Sequence, residues 1–159
     1  YNGITWAAGG ALGTALAYNT GVGSQNAALS IGGKNPASAA AGAVSGSTCH
    51  YDGTSWSAGG GLIHDVREST AAGSQNAALL YGGTVTPSAP AQTAEYDGNV
   101  WVSCSDMNTG RFGSARAGTT NFALAAGGGS PGASSATEEY VKTHSGKPYL
   151  LNKKIKAQE

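Results

Sequence analysis

The chain has 159 residues, nine basic and nine acidic side chains, and a formal net charge of zero. Only 11% of the residues are charged, so a nucleic-acid partner would find little electrostatic attraction. No apolar run approaches the ~18 residues that a membrane-spanning helix needs. Gly is abundant, with 26 copies, and it favours structures in which backbones approach closely.

One phrase occurs three times along the chain, as YNGITW, YDGTSW and YDGNVW. Its first and last residues, five positions apart, are Tyr1 and Trp6, Tyr51 and Trp56, and Tyr96 and Trp101. A Gly doublet follows each Tyr at a fixed distance, at Gly32 and Gly33, Gly82 and Gly83, and Gly127 and Gly128. The distances between successive Tyr are 50 and 45, and a further 44 residues lead to Tyr140. We therefore predict three repeats, at about 1–50, 51–95 and 96–139.

The sequence pattern of each repeat predicts four short strands. Segments such as AYNTGVG (17–23) and FGSARAG (112–118) supply the first strand, and GSQN predicts a turn into the apolar second strand. The Gly doublet ends that strand, where φ is positive or no side chain fits. The Tyr-Asp-Gly phrase predicts a hairpin with a primed turn. Gly interrupts every helical apolar pattern, so the predicted fold class is all-β.

The order of apolar strand, Gly-Gly, variable loop, Tyr and Trp resembles a kelch repeat over residues 1–140. The Ala/Gly/Thr-rich composition, with short sequences such as TEEY and GSQNAAL, resembles the kelch-like repeats of tailed-phage (marine, cyanophage-like) fibre and virion structural proteins. The resemblance implies a β-propeller with one four-stranded blade per repeat and with Tyr and Trp packed between blades. An open or intertwined trimeric β fibre is the alternative architecture.

Three repeats are fewer than the 4–8 blades of typical propellers. The chain also opens inside a repeat, so we expect it to be a piece of a longer protein or a processed product. The missing blades are expected from the same chain or from other copies of it.

The resemblance implies a virion or extracellular location and a non-enzymatic structural or adhesion module of a tail fibre or spike. Its variable loops would attach to a host surface, with glycan and other virion proteins as partners. A virion scaffold or decoration protein, or a non-catalytic fragment of a secreted carbohydrate-active enzyme, are the alternatives. The candidate binding residues lie in the loops after the Gly doublets: Lys34, Asn35, Thr84, Thr86, Ser130 and Ser134.

The last segment departs from the repeat. Residues 141–159 predict a terminal hairpin and a basic tail, in which Lys153, Lys154 and Lys156 either are solvated or dock on an acidic surface.

No catalytic, cofactor or metal residues are predicted. Cys49 and Cys104 belong to consecutive repeats, which argues against a disulfide between them. Adjacent carboxylates on a strand, such as those at 138 and 139, face opposite ways. The histidines His50, His64 and His144 are predicted to lie at the surface or in loops. Arg111 and Arg116, near Asp106, are predicted to form weak surface ion pairs.

Overall fold

The computed structural model describes residues 5–37, 44–85, 88–130 and 132–142. This part of the chain is all-β, as predicted, and contains no helix; in particular, no helix in it could cross a membrane. Its strands are β1 (Thr20–Ser24), β2 (Ala27–Ile31), β3 (Thr48–Tyr51), β4 (Trp56–Ala58), β5 (Thr70–Ser74), β6 (Ala77–Tyr81), β7 (Thr93–Tyr96), β8 (Trp101–Ser103), β9 (Ala115–Gly118), β10 (Phe122–Ala126) and β11 (Thr137–Val141).

The strands form three small antiparallel sheets. Sheet I has the order β1-β2-β3-β4, sheet II has the order β5-β6-β7-β8, and sheet III consists of β9, β10 and β11 with β10 in the middle. Four strands per repeat are therefore confirmed for sheets I and II, and three strands of sheet III lie in the described residues. Each four-stranded sheet takes its last strand from beyond the next repeat Tyr, so the sheets cross the predicted repeat boundaries.

Both predicted hairpins are present, but one turn differs from the prediction. The β1–β2 hairpin closes at Ser24 and Ala27 and leaves Gln25 and Asn26 as the turn. The β3–β4 hairpin has a four-residue connection, in which the Asp52 carboxylate accepts bonds from the N–H groups of Thr54 and Ser55. Gly53 has φ of +96°, whereas Asp52 is not in the left-handed region. The predicted primed turn is therefore wrong.

The Gly doublets end the second strands, as predicted. At Gly82 and Gly83, φ is +61° and +114°, values that L residues rarely adopt. A Cβ at Gly82 would also lie 2.2 Å from the Arg111 carbonyl oxygen. Both reasons given for the doublet, positive φ and close approach, apply at this position.

Sheets I and II pack face to face through one apolar core. Leu29 and Ile31 of sheet I meet the buried side chains of sheet II that include Leu80, Tyr96 and Trp101. The Trp101 ring lies 4.8 Å from Tyr96, and its Nε1 donates to Thr48 Oγ1 of sheet I at 3.0 Å. These repeat residues pack neighbouring sheets together.

Hydrogen bonds from the β5–β6 turn also join the same two sheets. The Gln75 side-chain amide, in the β5–β6 turn, donates to the carbonyls of Ala28 and Tyr51 at 3.0 and 2.6 Å. Because these acceptors belong to sheet I, the β5–β6 turn fixes the position of sheet II relative to sheet I.

Sheets II and III pack through a second core. Leu79 and Tyr81 meet Ala123 and Ala125, and Tyr140 packs at the margin. The Tyr81 hydroxyl donates to the Leu124 carbonyl at 2.9 Å.

The prediction of a weak surface ion pair at Arg111 is wrong. Its side chain is only 3% exposed and forms an ion pair with Glu138 of sheet III. It also donates to the carbonyls of Gly127 and Ala136, at 3.3 and 2.9 Å. Asp106 instead accepts a bond from the Thr93 amide. Arg111 is thus a buried cross-brace between the connection that precedes β9 and the β10–β11 loop.

Candidate binding surface

The loops that follow the Gly doublets lie at one end of the sheets, which we call the loop end. Lys34, Thr84 and Gly129 occupy the same repeat position, and each forms a β-bridge to the segment that leads into the first strand of its sheet. The loop after β2 also contacts the β4–β5 connection, because the Leu62 amide donates to the Gly46 carbonyl at 2.8 Å. The predicted loop residues are therefore grouped on one face of the molecule.

The predicted binding residues are half-buried and make local bonds. Asn35 caps its own loop through a bond from the Ala37 amide, and the Thr84 hydroxyl donates to Glu68. Ser130 and Ser134 donate their amides to carbonyls of their own loop. Thr86 and the tail residues Lys153, Lys154 and Lys156 lie outside the described residues, as does Tyr1.

The first strands of the three sheets, β1, β5 and β9, lie side by side and line a concave surface, which we call the inner groove. Small residues form its floor, among them Gly21, Ala71 and Gly118. Three adjoining cavities of about 230, 360 and 430 Å³ follow this surface. The space exists because Gly and Ala leave the inner strand edges bare of long side chains.

The mouth of the groove at the loop end is polar. Asn19, Ser69 and Ser114 line it at equivalent positions, each eighteen residues after a repeat Tyr. The hydroxyls of Thr70 and Ser114 lie 2.8 Å apart and share a hydrogen bond. Sequence reasoning missed this set, although the recurrence of a small polar residue at one repeat position was a signal that could have found it.

Arg116 is the charged residue that lines all three cavities. It stands where sheets I and II have Gly21 and Ala71, and these small residues let its side chain cross β5 to reach Thr20 Oγ1 at 2.9 Å. The predicted surface ion pair with Asp106 is therefore wrong for Arg116 as well. Its exposed guanidinium gives an otherwise neutral polar groove one positive charge, which suits a carboxylate or polyhydroxyl ligand.

The remaining reactive groups are placed for packing. Cys49 and Cys104 are free, and burial raises the pKa of both thiols, that of Cys104 to about 11. Burial, and the bond that its hydroxyl donates to Glu95, raise the pKa of Tyr140. Thiols held protonated in this way are poor nucleophiles.

The predictions for the other titratable groups agree with the structure only in part. His50 is not a surface or loop residue, because it lies in β3 with Nε2 2.8 Å from the Tyr96 hydroxyl. Glu138 and Glu139 do diverge, the first toward Arg111 and the second into solvent. Within the described ranges, no three His, Cys, Asp or Glu residues come together as metal ligands could.

Comparison with known proteins identifies the fold alone. No family model and no curated protein matches the chain. Among solved structures, the fold is similar to one described as "Structure of YjhT", with a TM-score of 0.72 and 15% sequence identity. The match covers 89% of this chain and 47% of that chain, so this chain spans about half the length of the YjhT structure.

Proposed function

We propose that this chain is a non-enzymatic binding module that displays its loop end to a polar, glycan-like surface. The carrying observation is the convergence of three equivalent loops and a polar groove mouth at the same end of the stacked sheets. Packed sheets hold the described ends of these loops in fixed relative positions, which lowers the entropy lost on binding.

The setting that we propose is a kelch-like propeller in the fibre or spike of a tailed-phage virion. This part of the proposal is supported by the sequence resemblance, by the four-stranded antiparallel sheets and by the size of the three repeats. Many copies on one particle would bind together, so weak contacts at single sites would be sufficient for attachment. Host-surface glycan and neighbouring virion proteins are the partners in this proposal.

The groove chemistry narrows the ligand class. Hydroxyl and amide groups at the mouth can exchange hydrogen bonds with sugar hydroxyls, and Arg116 can pair with a carboxylate in two-pronged geometry. The proposed ligand is therefore an acidic glycan, with uncharged glycans bound more weakly.

The test is a glycan array probed with the labelled 159-residue chain. We expect binding to carboxylate-bearing glycans, and we expect Arg116→Ala to weaken it by about tenfold, the loss of one charge-assisted bond. Lys142→Ala is the matched control, since Lys142 follows β11, pairs with Glu95 and does not line the groove. Equal losses from both substitutions, or no glycan binding at all, would contradict the proposal.

A further inference from the structure

One backbone position has the left-handed conformation in all three repeats. Tyr18, Glu68 and Gly113 each lie seventeen residues after a repeat Tyr, and their φ values are +59°, +56° and +62°. The Glu68 amide donates to the Tyr18 carbonyl at 2.9 Å, and the Gly113 amide donates to the Glu68 carbonyl at 3.0 Å. These backbone bonds join the segments that lead into the first strands of the three sheets.

The fold does not require an aromatic side chain at this position. Bulky L residues rarely adopt such a φ, whereas Gly adopts it at little cost, as in the third repeat. Glu68 uses its side chain within the fold, because its carboxylate accepts a bond from the Thr84 hydroxyl. Tyr18 is 58% exposed and belongs to neither apolar core. A bulky side chain in a strained conformation, with no place in the core, is typical of a functional position.

The Tyr18 ring is fixed beside the polar groove mouth. The Arg67 guanidinium carbon lies 5.9 Å from the centre of the ring, which is the distance of a cation–π contact. This contact covers only part of the exposed side chain, so ring surface stays open to solvent. The next residue, Asn19, lines the groove mouth together with Ser69 and Ser114. An open aromatic ring therefore borders a set of amide and hydroxyl groups.

We propose that Tyr18 is a stacking platform for one sugar ring of a glycan bound at the groove mouth, a role that rests on the proposed function. A sugar ring has C–H groups on its faces and hydroxyls at its edge, so an aromatic ring next to amides and hydroxyls complements both. Because Arg67 holds the Tyr18 ring, little side-chain freedom is lost on binding. Stacking needs no charge on the ligand, so Tyr18 adds affinity for acidic and neutral glycans alike.

The experiment is the glycan array, read with variants of the full 159-residue chain over a series of protein concentrations. Tyr18→Ala should raise the half-saturating concentration by about tenfold, for carboxylate-bearing and neutral glycans alike. Tyr18→Phe keeps the ring and should stay within about twofold of the unmodified chain. Phe122→Ala is the matched control and should change nothing, since Phe122 is 61% exposed but lies at the other end of β10 from the Gly doublet.

Tyr18→Gly separates a binding residue from a packing residue. Gly suits the left-handed φ, and the side chain that it removes is mostly exposed, so the urea midpoint should not fall. Glycan binding should nevertheless weaken as much as in Tyr18→Ala. A lower urea midpoint with unchanged glycan binding would show that Tyr18 is retained for packing and would overturn the proposal.

Failure of the platform and failure of the proposed function give different results on the same array. Unchanged binding by Tyr18→Ala, together with weaker binding by Arg116→Ala, would overturn the platform and leave the groove as the glycan site. Weaker binding of neutral glycans by Tyr18→Ala, but not by Arg116→Ala, would support separate roles for the two residues. No binding of any glycan by the unmodified chain would overturn both proposals.

Discussion

Two arginines five positions apart illustrate how strongly the surroundings of a residue decide its role. The Arg111 guanidinium is buried and satisfied by Glu138 and by the carbonyls of Gly127 and Ala136. That of Arg116 is exposed and bonds one threonine hydroxyl across the inner groove. A buried charge with this many partners cannot be removed without leaving the partners unsatisfied, whereas an exposed charge can.

We therefore expect opposite outcomes from the same substitution. Arg111→Ala should lower the free energy of unfolding by about 3 kcal/mol, because Glu138 keeps its charge after its partner is lost. Arg116→Ala should change the free energy of unfolding by less than about 0.5 kcal/mol. Urea denaturation followed by circular dichroism measures both. Similar losses for the two variants would mean that Arg111 is not the brace described here.

At the scale of the element, the β3–β4 and β7–β8 hairpins share one turn design. In each, an aspartate carboxylate accepts bonds from two turn amides, those of Thr54 and Ser55 for Asp52. For Asp97 the donors are Asn99 and Val100, at 2.9 Å each. These backbone bonds lower the pKa of both carboxyls below the ordinary 3.8, and the bonds from Ser55 and Val100 contribute most.

The lowered pKa values predict sensitivity to acid. A carboxyl with a lower pKa in the folded state adds stability that is present above pH 3.8 and is lost as pH falls through the folded-state value. The double variant Asp52→Asn, Asp97→Asn keeps the acceptor oxygens but cannot titrate. We expect its urea midpoint to fall less than that of the unmodified chain between neutral pH and pH values below 3.8. Equal falls in the two proteins would mean that these turn bonds add no acid-sensitive stability.

The strands and turns were the part that the sequence predicted best, for a physical reason. Gly-Gly, Gln-Asn and Asp-Gly act through local backbone geometry, and each of these pairs recurs at the same repeat position in at least two repeats. The burial of Arg111 and the position of His50 depend on which sheet stacks on which, and local patterns do not carry that information. The polar groove mouth was partly predictable. Its residues recur at one repeat position, which the sequence shows, but they come together only when the sheets stack, which the sequence does not show.

At the scale of the whole molecule, stability depends on two sheet-to-sheet interfaces in series. In the described residues, the two apolar cores join neighbouring sheets, and the Arg116 bond to Thr20 links sheet III to sheet I. The stability of such a stack is approximately a sum of nearest-neighbour terms, as in repeat proteins. Within the described residues, sheet III packs on sheet II, and two tyrosine hydroxyls strengthen this interface. Tyr81 donates to the Leu124 carbonyl, and Tyr140 donates to the Glu95 carboxylate.

These hydroxyls predict how the stack responds to alkali. Burial raises the pKa of Tyr81 from 10.0 to about 12, and burial with the Glu95 bond also raises that of Tyr140. An acid whose pKa is higher in the folded state adds stability that is complete below pH 10.0 and is lost as pH rises through the folded-state value. We therefore expect the free energy of unfolding to fall across the window from pH 10.0 to about 12.

Tyr81→Phe tests the assignment, because it removes one titrating group from the interface between sheets II and III and keeps the ring. Its free energy of unfolding should fall less across that window than the free energy of the unmodified chain. Tyr18→Phe, at a site 58% exposed, removes a hydroxyl outside this interface and should follow the unmodified chain. Urea titrations at stepped pH, with tyrosinate absorbance recorded alongside, measure both quantities. If Tyr81→Phe and the unmodified chain lose stability in parallel, the Tyr81 hydroxyl does not hold sheet III on the stack.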